Sequence, residues 1–537
     1  MAPEDFLMKR TCQKLISVLL IAALLLPTAF ASFAFAADAA LPIVCVCGET
    51  EIFAVNENGE RYAPKAEYSE QVVNEAVPEL IPLFAKAVAT NNYTEWSEKA
   101  LEAIAPIYTP IQPRPDGSLP ENTGIDFSWS PASVAPSDPR FNFYEYWWDF
   151  RLSPLEVADD LHAYIQEIKR LTGAEKVVLE SRCAGVAVEA AYLTKYGTDD
   201  VAKCIFVCNS LHGFDFADLS LSGNVTVPGN ALYRYLEEFD LLGGLDANIS
   251  TLIMSMLKAM NKNASADEIL SLFLKIYDKI GPTFIGPYLR EFYGICPGYV
   301  ATVDEHFDDY LDYVFPTDEL KAEYAAVIAK VKDYHENVQN HIDDLLRRID
   351  SEGTPVYFIA VYGEQQYPVS PRSEYVGDQL QCVSLQSFGA TTAKMTETLP
   401  ESYLAAQREK EDFNFISPDK QIDASTCMFP YQTWFLKNLR HAFDGLDLMS
   451  LIDAIAHTEN AAVDTLAGLP QYLNAREDHS ALEPAQEVNE NDIDWAALEP
   501  QTDGKTEFLA GGVAFFARII AFFSRLVKTV KQWFGIA

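Results

Sequence analysis

The feature that most constrains this chain is an alternation of strand-like and helix-like segments between Phe141 and Ser210. "FNFYEYWWDFRLSP" has aromatic strand character through Trp148. Ser153-Pro154-Leu155-Glu156 then reads as a capping box with proline at the first helical position, and it predicts a helix to about Leu171, stopped at Gly173. Lys176–Glu180 reads as a strand, Ala184–Tyr196 as a helix, and "AKCIFVCNS" (Ala202–Ser210) as another strand. That cadence argues for an α/β fold built on a mainly parallel sheet with right-handed crossovers. Upstream, "LPIVCVCG" (Leu41–Gly48) is a further buried strand, followed by a loop-rich, proline-rich stretch.

From about Ala217 to Gly353 the pattern becomes helical, with apolar residues at three- and four-residue spacing in "DEILSLFLKIYDKI" and "ELKAEYAAVIAKVKDYHENVQNHIDDLLRRI". A helical block between sheet strands predicts a lid over residues 217–353. Strand character returns in "TPVYFIAVYG" (Thr354–Gly363), and "FPYQTWFLKNLRH" reads as the last strand and its exit. The sheet core is thus expected in two parts, 37–216 and 354–445.

The ends are of a different character. Lys9, Arg10 and Lys14 precede the apolar run Leu15–Leu26, and Ala34-Phe35-Ala36 offers a small-x-small cleavage site. Residues 1–36 therefore read as a secretory signal peptide, and the protein as secreted or associated with the cell surface. Residues 446–505 read as an acidic linker region, because Glu477–Asp503 holds nine acidic residues and no lysine or arginine. Residues 506–537 read as an amphipathic basic helix: Arg518, Arg525, Lys528 and Lys531 share one arc, while Phe515, Ile519, Phe522, Leu526 and Trp533 share the other. Basic-plus-aromatic composition fits peripheral membrane contact through residues 508–537, with docking on the protein's own surface as the alternative. A net charge of −38 over 537 residues excludes nucleic-acid binding through an electrostatic footprint.

Eight cysteines follow Cys12. Cys45 and Cys47 alternate in one strand, and Cys204 and Cys208 lie four apart in another, so each pair is expected on one side of its strand as buried thiols. The spacing leaves room for one or two disulfides and makes a poor metal signature; no metal or cofactor is expected.

The chemistry centres on "VVLESRCAGV" (Val177–Val186), where a strand runs into a small-residue turn and a helix. The G-x-S-x-G elbow presents a nucleophile on such a strained turn, with small residues two before and two after. Ser181 and Gly185 meet that requirement around Cys183, whereas centring on Ser181 fails at Leu179. A thiolate is favoured at a helix N-terminus and beside a histidine. The amide of Ala184 is placed to donate to an oxyanion, and Glu49, in the loop after the first strand, is the candidate for the second amide. A nucleophile, acid, histidine order along the chain selects Asp419 and His441 in "FISPDKQIDASTCMFPYQTWFLKNLRH". Asp423, Asp412 and Glu364 are competing acids, and His212 and His457 competing histidines. A buried thiol in an ordinary turn is the structural alternative for Cys183.

With those residues in view, "WWDFRLSPLEVADDLHAYIQEIKRLTGAEKVVLESRCAGVAVEAAYLTKYG" resembles lecithin–cholesterol acyltransferase-like and bacterial lipase-like α/β-hydrolases. Asp149-Phe150-Arg151 stands where the family has a D-W-R-like element. Cys296–Phe315 is similar to its lid segment, and "SPDKQIDAS" to its acid-bearing turn. The departures are Cys183 for serine, Ser181 for glycine, and Val186 where a second glycine is common. The resemblance implies cleavage or transfer of acyl groups, from an ester or thioester of apolar, lipid-like character, through Cys183, Asp419 and His441. The competing expectation is an inactive hydrolase-fold protein that binds an apolar ligand or another surface component.

Overall fold

Eight strands form one sheet in the structure, a computed structural model that describes residues 41–48, 50–64, 76–226, 228, 231, 278–410, 414–439, 441, 445–476 and 478–486. In chain order they are β1 (Ile43–Val46), β2 (Phe143–Tyr146), β3 (Val177–Arg182), β4 (Val201–Val207), β5 (Val356–Tyr362), β6 (Thr433–Lys437), β7 (Tyr472–Ala475) and β8 (Leu482–Pro484). Their order across the sheet is β8-β7-β6-β5-β4-β3-β1-β2. Every neighbouring pair is parallel except β7–β8, which is antiparallel.

Apolar strands buried on both faces need helices on both sides. Helices α1 (Pro154–Thr172) and α2 (Gly185–Tyr196) cover one face, packing Leu161, Ile165, Val188 and Tyr192 with Val44, Leu179 and Phe206. The other face is covered by Leu446–His457, whose Leu448, Leu451, Ile452 and Ile455 meet Ile205, Tyr357, Ile359 and Trp434. The chain is thus an α/β protein, as the cadence predicted. The α1 capping box is formed, with Ser153 accepting from Leu155 N–H and Glu156 accepting from Ser153 N–H at 3.1 Å. Gly173 ends α1 in a left-handed conformation, φ 73°.

Three local expectations need correction. Helix Leu446–His457 and strands β7 and β8 occupy much of what was read as the start of an acidic linker, residues 446–505. The acidic average of that region masks a buried apolar stripe in "LDLMSLIDAIAH". Cys204 and Cys208 pack on opposite sides of the sheet, because β4 ends at Val207 and Cys208 turns out with φ 48°. The stretch read as loop-rich contains helices Val77–Thr90 and Thr94–Tyr108, with Pro106 tolerated in the second helix's last turn.

No disulfide joins the eight cysteines from Cys45 onward, and Cys45 and Cys47 face each other at 3.8 Å as thiols. Between β4 and β5 the described residues contain helices and turns but no strand. This segment includes α3 (Asp215–Ser222) and α4 (Ile342–Ser351). Glu49, the signal segment 1–36 and the basic helix 506–537 lie outside the described residues.

Candidate active site

Cys183 occupies the first turn residue after β3, with φ 52°. Left-handed backbone at a non-glycine residue costs of order 1 kcal/mol or more and persists only where its surroundings fix it. Here the fixing contacts come from three sides. Cys183 N–H continues the ladder to Val207 O at 3.3 Å, and Ser210 Oγ donates to Cys183 O at 3.1 Å. On the third side, α2 starts so close to β1 that a Cβ at Gly185 would lie 2.3 Å from Val46 O and 2.5 Å from Cys47 O. Only glycine permits that approach. The loop after β1 also passes over the thiol, since a Cβ at Gly48 would sit 3.4 Å from Cys183 Cβ and 4.0 Å from its Sγ. The result is a half-buried thiol at the N-terminal end of a twelve-residue helix.

Ala184 is the N-cap of that helix. Its amide is paired with no acceptor among the described residues, so it is available to an incoming oxygen.

His441 is brought to the same place by the turn after β6. Its side chain is 6% exposed, and its Nδ1 lies 2.6 Å from Asp378 Oδ2, whose side chain is fully buried. A second bond, from His441 N–H to Asp378 O at 3.1 Å, ties the two loops together. The other carboxylate oxygen, Oδ1, accepts from Leu380 N–H at 3.0 Å and Gln381 N–H at 2.9 Å. The carboxylate is therefore compensated on both oxygens, as a buried charge must be.

Burial by itself depresses the His441 pKa, but the opposing charges of Asp378 and then Cys183 outweigh it. The imidazole is held well above its ordinary value. Its Nε2 is buried and meets no hydrogen-bond geometry with a described residue. The group that faces it electrostatically is the Cys183 sulfur.

Of the residues expected to act together, Cys183 influences His441 electrostatically without a hydrogen bond to it, and Asp419 is bonded elsewhere. Asp419 accepts from Lys437 Nζ at 2.7 Å and from Ser417 Oγ at 2.6 Å. It pairs with Lys437, the last residue of β6, so its carboxylate has no part in orienting His441. Asp378 takes that place from the loop after β5.

Among the other candidates, Asp423 accepts from Tyr403 O–H at 2.8 Å and from Ser425 N–H at 2.8 Å. His212 lies between Asp304 and Asp343, and His457 pairs with Asp453. Asp412 lies outside the described residues. Glu364 follows β5 after Gly363, and its backbone bridges Asp378 and donates to Gly377 O at 3.2 Å. Asp378 follows Gly377, where a Cβ would meet Gln381 O at 2.4 Å, but no pattern in the sequence pointed to it.

Cys208 adds a thiol beside the pair. Ligating atoms of Cys208, Asp378 and His441 lie within 4.8 Å of one another. Asp378 and His441 already bond each other, and a closed zinc site needs a fourth donor. The three are better described as part of the site's polar interior. Neither the protein-family models nor the curated proteins give a match to this chain.

Proposed function

We propose that the protein cleaves or transfers acyl groups through a covalent acyl-Cys183 intermediate, with His441 as base and Asp378 as its orienting carboxylate. The observation that carries this reading is the left-handed Cys183 at a strand-to-helix turn, facing an imidazole whose far nitrogen is 2.6 Å from a buried carboxylate. Three further features support the α/β-hydrolase resemblance. They are the parallel order β2-β1-β3-β4-β5-β6, a nucleophile after β3, and acid and histidine after β5 and β6.

In this reading His441 Nε2 carries the proton taken from Cys183, as its raised pKa favours, and the thiolate sulfur attacks the acyl carbonyl carbon. Asp378 holds Nδ1–H, so that Nε2 is the basic nitrogen. Ala184 N–H receives the oxyanion, helped by a second amide from the loop after Gly48, where Glu49 is the proposed donor. Collapse of the tetrahedral intermediate expels the alcohol or thiol, which takes the proton from His441. Water or another acceptor, deprotonated by the same nitrogen, then releases the acyl group from sulfur. Apolar, lipid-like acyl chains fit a lid formed by the helical insertion 217–353 and a membrane-contacting tail over 508–537. Export through residues 1–36 fits the same setting.

The test is hydrolysis of p-nitrophenyl esters of graded chain length and of one acyl thioester by the wild type, Cys183→Ala and Cys183→Ser. Turnover that disappears in Cys183→Ala, with a trapped acyl-enzyme mass on Cys183, is the expected outcome. No turnover in any form, with Cys183 alkylated no faster than the other thiols, would point instead to a binding protein on this fold.

A further inference from the structure

At the β2 edge of the sheet, two strands across from β3, an open cleft of about 220 Å³ is lined by Glu145 and by Phe127, Trp129, Trp147 and Tyr164. The rings form two pairs, Phe127 with Trp147 at 5.3 Å and Trp129 with Tyr164 at 5.2 Å between centroids. Phe127 is 61% exposed and carries the aromatic lining out to the surface.

The hydrogen-bonding groups of the walls are largely committed elsewhere. Trp129 Nε1–H donates to Asp160 Oδ2 at 2.7 Å, and Tyr164 O–H donates to Glu145 O at 2.9 Å. The hydroxyls of Ser133 and Ser137 donate to Ser130 O at 3.0 Å and Phe143 O at 3.2 Å. What remains is aromatic surface, the Ser128 hydroxyl, the Trp147 indole N–H and one carboxylate, Glu145, which pairs with no cation among the described residues.

That inventory selects a ligand by exclusion. An anion would meet Glu145 and no basic side chain. A sugar needs several donors and acceptors; those of Trp129, Tyr164, Ser133 and Ser137 are used, which leaves it only the Ser128 hydroxyl and the Trp147 N–H beside Glu145. A primary ammonium is strongly hydrated through its three N–H groups and gains less from aromatic faces than a cation with no N–H to keep in water. A quaternary ammonium has no N–H to satisfy, is attracted by the negative faces of aromatic rings, and is complemented by one carboxylate. The chain's net charge of −38 draws cations toward it as well. We propose that this cleft binds a quaternary ammonium group, such as that of choline, either free or on a lipid headgroup. The proposal is independent of the acyl chemistry assigned to Cys183.

Isothermal titration calorimetry of the full chain at fixed ionic strength tests it. The probes are tetramethylammonium and choline, with ethanolammonium and the neutral isostere 3,3-dimethyl-1-butanol as comparisons. Choline is expected to bind saturably and about fivefold tighter than the neutral isostere, the upper end of an exposed cation–π contribution. Trp147→Ala and Glu145→Gln are each expected to weaken it about fivefold or more. Glu145→Gln serves should Trp147→Ala fail to fold, as judged by circular dichroism.

Co-sedimentation with phosphatidylcholine vesicles, competed by free choline and lost in Glu145→Gln, would assign the source to a headgroup. Choline binding without such sedimentation would assign it to a free cation. Equal affinity for choline and its neutral isostere, no saturable heat with either cation, or wild-type affinity in a folded Glu145→Gln would overturn the proposal.

Discussion

Asp378→Asn distinguishes the acid that the geometry selects from the acid expected from sequence. Asparagine keeps an oxygen for the amides of Leu380 and Gln381, so the loop should retain its shape. The charge facing His441 is lost. At 2.6 Å, a charge pair in an effective dielectric of 20 interacts by roughly 6 kcal/mol. Reorganisation and a residual neutral hydrogen bond recover part of this. The expected loss of transition-state stabilisation is then about 4–5 kcal/mol, or on the order of 10³- to 10⁴-fold in kcat/KM.

The Asn amide also favours the tautomer with hydrogen on Nε2, which can no longer accept the thiol proton. Asp419→Asn, which breaks only the bond to Lys437, should leave kcat/KM within about threefold of wild type. Ester turnover is the first assay. Alkylation of Cys183 by iodoacetamide, followed by peptide mass spectrometry across pH, reads the same pair without a substrate. Because Asp378 raises the His441 pKa, its stabilising contribution is complete below the unfolded value of about 6.5. It is lost as pH rises through the higher folded value. Asp378→Asn should therefore flatten the melting temperature in that window. An active Asp378→Asn variant, or an inactive Asp419→Asn variant beside it, would refute the reasoning.

Three further expectations follow from the geometry around the elbow. Gly185→Ala forces a Cβ to within 2.3 Å of Val46 O and should cost about 1–3 kcal/mol in a urea titration; an unchanged midpoint would show that α2 can shift freely. Glu189, on α2, is fully buried, with neither carboxylate oxygen in hydrogen-bond geometry, and desolvation raises its pKa well above the ordinary value. Its folded state binds the proton more tightly, so wild-type stability should fall as pH rises above about 4.3. Glu189→Gln should melt higher than wild type at pH 8, and a lower melt would mean that the carboxyl is compensated. For His212, burial lowers the pKa, but bonds to Asp304 and Asp343 win and raise it. Its contribution should be lost as pH rises above about 6.5, and His212→Gln should remove that slope from a melting-temperature profile.

The sheet centre was legible because β1 and β5 are continuous apolar runs ending at glycine, and β3 and β4 carry the apolar stretches VVL and CIFV between helical segments. The elbow was legible because small residues must flank Cys183, whatever else the turn contains. The acid was not. Asp378 lies in a loop without periodicity, and buried amides fix its position. Gln365 and Gln366 hold the carbonyls of Ser373 and Tyr375, and Gln386 pairs with both backbone groups of Val361. Such a network leaves no spacing rule in the sequence. The similarity of "SPDKQIDAS" to an acid-bearing turn then drew the assignment to Asp419. β7 and β8 were missed because YLNA and LEP carry neither the continuous apolar run of β1 nor the aromatic run around β2.

The insertion between β4 and β5 also bears on how the molecule is made. Cys204 pairs with Val356 and Val207 with Ile359, across a gap of roughly 150 residues. Loop-closure entropy rises only slowly with length, so the finished fold tolerates that gap at small cost, but long-range parallel pairing is slow to find. Cys183 lies before the gap, and Asp378 and His441 both follow it. During refolding from denaturant, the helical signal of α1, α2 and the insertion should return first. The enhanced thiol reactivity of Cys183 should return later, in the step that zips β4 to β5.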